Sequence, residues 1–280
     1  IVAFLIMEIH STRRTATIVT LDVCENERRN RYGTQLLKRS EEMLADYGVA
    51  GAPAESLGSG LINATFLVRP PGAEPFVLQC LNPIFPAVVN EDIDAVTARL
   101  AAAGLPTPRI RRTAAGRLWV EHEGSVWRSL TRVDGESLDR LASPAQAREA
   151  GALLARFHVA LADYDYVFRN TRPAVHDIAR HLAHLRNTLD RHADHARIVE
   201  VRPLATEILA LGEALPALPD VPARIVHGDP KINNIIFSRD AGHAICLVDL
   251  DTLTRMRLPL ELGDAFRSWC NPAGEDLART

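Results

Sequence analysis

The chain has 280 residues, 47% apolar and 24% charged, with 32 basic against 35 acidic side chains and a formal net charge of −3. That apolar fraction excludes wholesale disorder, and the near-neutral balance argues against a surface built for nucleic acid or anionic membrane. The length allows more than one domain and fewer than three.

The chain opens at Ile1 rather than Met and stops at Thr280, which reads as a chain cut at both ends. Residues 1–9 and 16–23 read as strands, the second rich in β-branched Thr17, Ile18, Val19, Thr20 and Val23. The apolar run Val2–Met7 is short and has no basic flank or cleavage site, so it is not a signal peptide. No stretch approaches the roughly 20 apolar residues of a membrane span, and the cytoplasm is the default location. An arginine-rich turn, Glu25–Tyr32, leads into a helix over 34–47 that Gly48 stops. Gly51, Pro53 and Gly58 mark a loop. Residues 62–68 and 75–81 form a β-pair around Pro70-Pro71-Gly72, followed by a helix over 91–103 ended by Gly104 and Pro106. Residues 117–121 and 125–133 read as strands. Beyond Gly135 the pattern turns helical. Ser143-Pro144 is an N-cap with proline at the first helical position, opening a helix to about Leu161, and further helices span 174–192 and 199–213. A strand–loop–strand section over 224–251 closes the readable part. Of the four cysteines, Cys24, Cys80, Cys246 and Cys270, none forms a C-x-x-C pair, so they read as reduced thiols rather than zinc ligands.

The strongest signal lies in that last section. His227-Gly228-Asp229-Pro230-Lys231-Ile232-Asn233-Asn234 sits between apolar runs, and Val248-Asp249-Leu250-Asp251 follows. An aspartate five residues before an asparagine, then an apolar-flanked aspartate, is the spacing of a kinase catalytic loop. Phosphoryl transfer needs a carboxylate to orient the acceptor hydroxyl and take its proton, and oxygen ligands for a magnesium ion on the nucleotide phosphates. Asp229 suits the first role; Asn234 and Asp249 suit the second. Lys231 lies where it can neutralise the migrating phosphoryl group. His227 fits a bracing role.

These motifs resemble the aminoglycoside phosphotransferase and choline kinase superfamily, with the N-acetylhexosamine 1-kinase group the nearest likeness. The resemblance spans roughly residues 46–280 and takes in Gly58-Ser59-Gly60-Leu61-Ile62-Asn63, Val77-Leu78-Gln79, Trp127-Arg128, Asp134-Gly135, His176-Asp177 and Gly263-Asp264. It implies an α+β, bilobal protein-kinase-like fold: a small antiparallel β lobe over 48–133 and a larger helical lobe over 134–280. It implies ATP and Mg²⁺ as cofactors. Gly58, Ser59, Gly60 and Gln79 would meet the nucleotide, with Leu130, Arg132 and Val133 in the hinge beside adenine. The acceptor would be a sugar such as an N-acetylhexosamine, or alternatively an aminoglycoside, choline or homoserine, with no nucleic-acid or membrane partner. Oligomeric state stays open.

Two features depart from the pattern. Gln79 and Cys80 stand where a kinase places a basic residue, so Glu91, Asp92 or Asp94 on the next helix has no lysine to pair with, and an inactive nucleotide-binding protein is a competing reading. Leu61 replaces an expected histidine. Five histidines, His176, His181, His184, His192 and His195, crowd one region; a metal site is one reading, a solvated amphipathic helix the better one. Asp264 and Arg267 are candidates for acceptor contact or for simple helix pairing.

Residues 16–47 resemble part of the acetyl-CoA motif of Gcn5-related acetyltransferases, with Arg28 and Gly33 bounding the turn before a helix N-terminus. The rest of that fold is missing, so residues 1–47 read as a partial β-α segment whose helix packs on the neighbouring lobe; an acetyltransferase fusion is the alternative. A chain cut after the hairpin also predicts an acceptor pocket open on its C-terminal side.

Overall fold

A computed structural model describes residues 7–8, 17–18, 40, 42–57, 62–171, 176–239 and 242–271. Gly58, Ser59 and Gly60, Arg28 and Gly33, and the chain end beyond 271 lie outside the described residues.

The strands are β1 (Met7–Glu8), β2 (Thr17–Ile18), β3 (Ala54–Ser56), β4 (Ala64–Val68), β5 (Phe76–Cys80), β6 (Ile110–Arg111), β7 (Val120–His122), β8 (Ser125–Thr131), β9 (Glu136–Ser137), β10 (Ala223–Val226), β11 (Ile235–Phe237), β12 (Ala244–Leu247) and β13 (Thr254–Arg257). The helices are α1 (Val89–Ala102), α2 (Pro144–Ala160), α3 (Ile178–Arg191), α4 (Ile198–Ala214) and α5 (Leu258–Trp269). They divide into two compact units, residues 1–20 with 172–221, and 21–171 with 222–280.

The second unit carries an antiparallel sheet in the order β3-β4-β5-β8-β6, with β7 also on β8. Its two faces follow the period-two alternation of a strand. Along β5, Phe76, Leu78 and Cys80 are buried while Val77 and Gln79 are half-buried. The buried set joins Phe66, Val68 and Trp127 in one core, and Met43, Leu44, Tyr47 and Ala52 cover it. The described end of the expected 34–47 helix thus packs on this sheet. It stops as the glycine signal requires. Gly48 has φ +73°, its N–H donates to Ala45 O at 3.0 Å, and the Val49 N–H donates to Leu44 O at 2.9 Å, which is a Schellman cap.

A second core lies under α1, α2 and the late hairpin. Val89, Ile93, Val96 and Leu100 meet Leu153, Phe157, Ile225, Ile232, Ile235 and Phe237. The 3.6-residue spacing on α1 and α2 thus seats the chemistry-bearing loops on a packed base. Ser143 caps α2 through Gln146 N at 3.3 Å, as the Ser-Pro pair predicts. Within the first unit β1 pairs antiparallel with β2. Gly212 lets α4 approach α3, since a Cβ there would lie 2.5 Å from Leu182 Cδ1.

Several expectations shift. The strand expected at 117–121 is Val120–His122, joined to β8 by Glu123 and Gly124, both at positive φ, a two-residue primed turn. Strands β6 and β9 are two residues long, too short to carry a period. Beyond 251 the chain continues into β13, which pairs with β10, and α5. Among the described residues no helix is long and apolar enough to cross a membrane. None of the described histidine, cysteine, aspartate or glutamate groups gathers three side chains around a metal position.

Candidate active site

The His227-Gly228-Asp229 turn leaves β10 and is braced from three sides. Its backbone is held by Glu261 of α5, whose carboxylate accepts the His227 N–H at 2.5 Å and the Gly228 N–H at 3.1 Å. The other Glu261 oxygen lies 2.7 Å from His158 Nε2. The His227 ring is buried. Its Nε2 lies 2.9 Å from Val248 O, and its Nδ1 accepts the Asp229 N–H at 3.3 Å. That pattern assigns the proton to Nε2. Burial pushes the His227 pKa down, against the opposing pull of Glu261 and Asp229. Gly228 sits at φ +87°, and a Cβ there would lie 2.2 Å from Thr252 O. Thr252 Oγ1 donates to His227 O at 2.9 Å. The turn is therefore locked to Thr252, the last residue of the short turn that follows Asp249.

The sequence-predicted residues meet on this frame. Lys231 Nζ lies 3.0 Å from Asp229 Oδ2. Asn234 Nδ2 donates to Asp229 O at 2.9 Å and approaches Asp229 Oδ2 at 3.5 Å. Trp269 Nε1 donates to Pro230 O, and Ser268 Oγ accepts the Ile232 N–H, so α5 fixes the loop beyond Asp229. Asp249 has left-handed backbone, φ 61° and ψ 56°, a strained conformation for a residue with a side chain. Burial first, then the nearby Asp251 and Asp229, push its carboxyl up to about 7, with Lys231 and Arg128 pulling the other way. A buried carboxyl with further carboxylates nearby, and the Asn234 amide on the same cleft, make a hard-oxygen donor set that suits Mg²⁺.

A cleft of about 740 Å³ runs between the sheet and this hairpin. Gln79, Leu130, Arg132, Lys231, Asn234 and Asp249 all line it. Asp229 is not among its lining residues but is tied to Lys231 and Asn234 at its edge. Ile62, Leu67, Val77, Ile93, Ile236 and Leu250 supply apolar wall. In the hinge, the Thr131 N–H is donated to Arg109 O at 2.8 Å, while among the described residues Arg132 and Val133 make no backbone bond. Arg132 pairs instead through its side chain with Asp134 at 2.7 Å.

Gln79 has both ends of its amide engaged. Its Nε2 donates to Thr65 Oγ1 at 3.1 Å, and its Oε1 accepts from Arg128 Nε at 2.9 Å. Arg128 and Asp251, given no role from sequence, form a buried ion pair beside Gln79. The acids of α1 go elsewhere. Asp92 accepts from Tyr166 Oη and from the Arg169 and Asn170 N–H groups, each at 2.8 Å, Asp94 pairs with Arg112 at 2.7 Å, and Glu91 lies 3.9 Å from Arg169. Asp264 and Arg267 bind each other at 3.0 Å within α5 and do not line the cleft. The signal that would have found Arg128 is the neutral residue at Gln79, which directs attention to basic residues on the next strand.

The sheet, the braced His227-Gly228-Asp229 turn and the Asn234 and Asp249 side chains on one cleft are the parts a phosphotransferase would need. Residues 53–280 match the family described as "Phosphotransferase enzyme family", and the chain belongs to that family. It is a small-molecule phosphotransferase with a kinase-like fold. Three solved structures share that fold. The amicoumacin kinase hAmiN, in complex with AMP-PNP, Ca²⁺ and Ami, superposes with a TM-score of 0.59 at 14% identity, over 88% of this chain and 72% of its own. A microcompartment-associated aminopropanol kinase gives 0.57 at 16%, over 82% and 74%. A 2"-type aminoglycoside phosphotransferase with GDP and kanamycin gives 0.54 at 16%, over 78% and 73%.

Proposed function

We propose that the chain moves the γ-phosphate of ATP to a hydroxyl of a small sugar or amino alcohol in the cytoplasm. The observation that carries this reading is the Asp229 carboxylate, held 3.0 Å from Lys231 on a backbone whose carbonyl accepts from Asn234 Nδ2 at 2.9 Å, at the edge of a cleft that Asp249 lines.

Asp229 orients the acceptor hydroxyl and takes its proton as the bond to phosphorus forms. Lys231 holds the Asp229 carboxylate in place and offsets charge on the transferring group. Asn234 and Asp249 would hold a magnesium ion, which would supply positive charge against the nucleotide phosphates. A magnesium ion held by one carboxylate, one amide and phosphates needs no cage of three protein carboxylates. The apolar walls near Val77 and Leu130 suit a flat base, with Arg132 and Val133 offering backbone groups to it. In this reading residues 48–133 carry the nucleotide, residues 134–280 the catalytic loop and the acceptor, and Gly58-Ser59-Gly60 the phosphates.

The N-acetylhexosamine motif likeness favours a sugar. The amicoumacin, aminopropanol and kanamycin named for the three solved structures favour an amine-bearing alcohol. The likeness of residues 16–47 to acetyltransferases carries none of this reading. The test is ADP release across N-acetylhexosamines, aminoglycosides, aminopropanol, choline and homoserine. We expect turnover with one class, lost by at least about a thousandfold in Asp229→Asn, while Mg·AMP-PNP still raises the melting temperature. ADP release that survives Asp229→Asn unchanged would sink the assignment.

A further inference from the structure

We propose that Arg128 is the positioning cation of this site: displaced by one strand from the expected place, it anchors the metal-binding turn through Asp251. The proposal rests on the phosphotransferase reading and adds a residue to it.

The first observation is what Gln79 does. It occupies the strand position where the basic residue is expected, and both ends of its amide are spent on Thr65 and Arg128. Gln79 therefore orients another side chain. The second is register. Gln79 and Arg128 are direct partners across β5 and β8. Directly opposed residues of an antiparallel pair project from the same face, so Arg128 brings a positive charge to the face of Gln79 from roughly 5 Å sideways.

The third is where that charge goes. The Arg128 side chain is 1% exposed and that of Asp251 is fully buried. Their contact is bidentate, Nη1 to Oδ1 at 2.5 Å and Nη2 to Oδ2 at 2.8 Å. Nη1 also reaches Asn90 Oδ1 at 3.4 Å, and Asn63 Nδ2 donates to Asp251 Oδ2 at 2.6 Å. The Asn63 oxygen accepts the Asn82 N–H at 2.9 Å. One closed polar network thus joins β5, β8, α1, the segment entering β4 and the metal-binding turn. In kinases the corresponding pair links a strand lysine to a helix glutamate. Here α1 supplies neutral Asn90, and the carboxylate comes from the catalytic hairpin instead.

The fourth is what the anchor controls. Asp251 lies two residues beyond Asp249, inside the short 3₁₀ turn that Asp249 opens in left-handed conformation. Such a backbone persists only where its surroundings over-determine it. Asp251, clamped by the fork of Arg128, and Thr252, against which Gly228 lies, fix the far side of that turn; Val248, bonded to Asn234 O and facing His227 Nε2, fixes the side before Asp249. A buried ion pair is weak evidence for stability, because desolvation offsets its attraction. Positioning the Asp249 oxygen is what the pair supplies.

The test uses the charge-neutral double variant Arg128→Gln/Asp251→Asn, which leaves no orphaned charge. Calorimetric titration with Mg·AMP-PNP is the readout, with the melting temperature as a folding control. We expect a folded protein whose Mg·AMP-PNP affinity falls roughly 10–100-fold and whose half-saturating Mg²⁺ rises by a similar factor. In Gln79→Lys/Arg128→Gln, a cation returned to the expected strand recovers part of that loss. Wild-type affinity in the folded double variant would overturn the proposal. If the double variant does not fold, Arg128→Lys decides. It keeps the charge but loses the fork, so weaker Mg·AMP-PNP binding supports the proposal and unchanged binding overturns it. Failure of the acceptor panel would fall on the phosphotransferase reading and leave this binding test intact. A wild type that bound no Mg·AMP-PNP would overturn both.

Discussion

Gly228 and His227 show how little freedom the turn before Asp229 has. Gly228→Ala would combine a φ of +87° with a Cβ 2.2 Å from Thr252 O, a backbone atom that cannot rotate away. We expect Ala at this position to displace Asp229 and lower kcat by about a hundredfold or more, since misplacement by 1 Å costs that much; steady-state kinetics reads it. Burial makes the His227 ring harder to protonate than an ordinary histidine. Its folded pKa is depressed below 6.5, so below that pH the unfolded chain binds a proton that the native ring does not. The contribution of neutral His227 is present above about pH 6.5 and lost as pH falls. Its neighbours Glu261 and Asp229 soften the effect and Lys231 reinforces it. Urea unfolding between pH 5 and pH 8 should show stability rising with pH, with a shallower rise in His227→Gln. At this scale the sequence was informative because Asp229, Lys231, Asn234 and Asp249 fall within one short hairpin and local spacing decides where they point. Arg128 and Asp251 are 123 positions apart. Their meeting depends on strand register, which no local pattern reports.

Among the elements, caps and turns transferred well from sequence to structure. Gly48, Gly104 and Ser143-Pro144 end or open helices where their chemistry requires. Gly48 is a useful contrast with Gly228, because it also has positive φ but nothing lies within 4 Å of its Cβ position. Gly48→Ala should therefore cost only the conformational term, about 1–2 kcal/mol, visible as a lower urea midpoint with unchanged Mg·AMP-PNP affinity. What escaped sequence reading was β3, in a stretch that reads as a loop, and β6, β9, β13 and α5. The two-residue strands β6 and β9 are defined by the partner that binds them; β9 exists because β11 offers it an edge. Helix α5 escaped because its role is not visible in its own composition. Its buried polar residues Glu261 and Ser268 look misplaced until the catalytic turn they support is known.

At the scale of the whole molecule, two clusters of the described residues in the second unit divide the work. One carries α1, α2 and the hairpin of Asp229 and Asp249; the other fills the far side of the sheet. The cleft between sheet and hairpin is where Mg·AMP-PNP should couple to folding: at a hundredfold excess over Kd it stabilises by about 2.7 kcal/mol. Chelation of Mg²⁺ with EDTA should remove most of that gain in a thermal melt. The far core has a practical consequence for where the chain can be shortened. The family match starts at residue 53, yet Met43, Leu44, Tyr47 and Ala52 are what keep Phe66, Val68, Phe76, Leu78 and Trp127 from water. A polypeptide started at Pro53 would present that aromatic sheet face as a sticky plate to its own copies. We expect it to precipitate on expression, while one started ahead of Ser40 stays in solution. The boundary drawn by homology and the boundary drawn by wetting are different places on this chain.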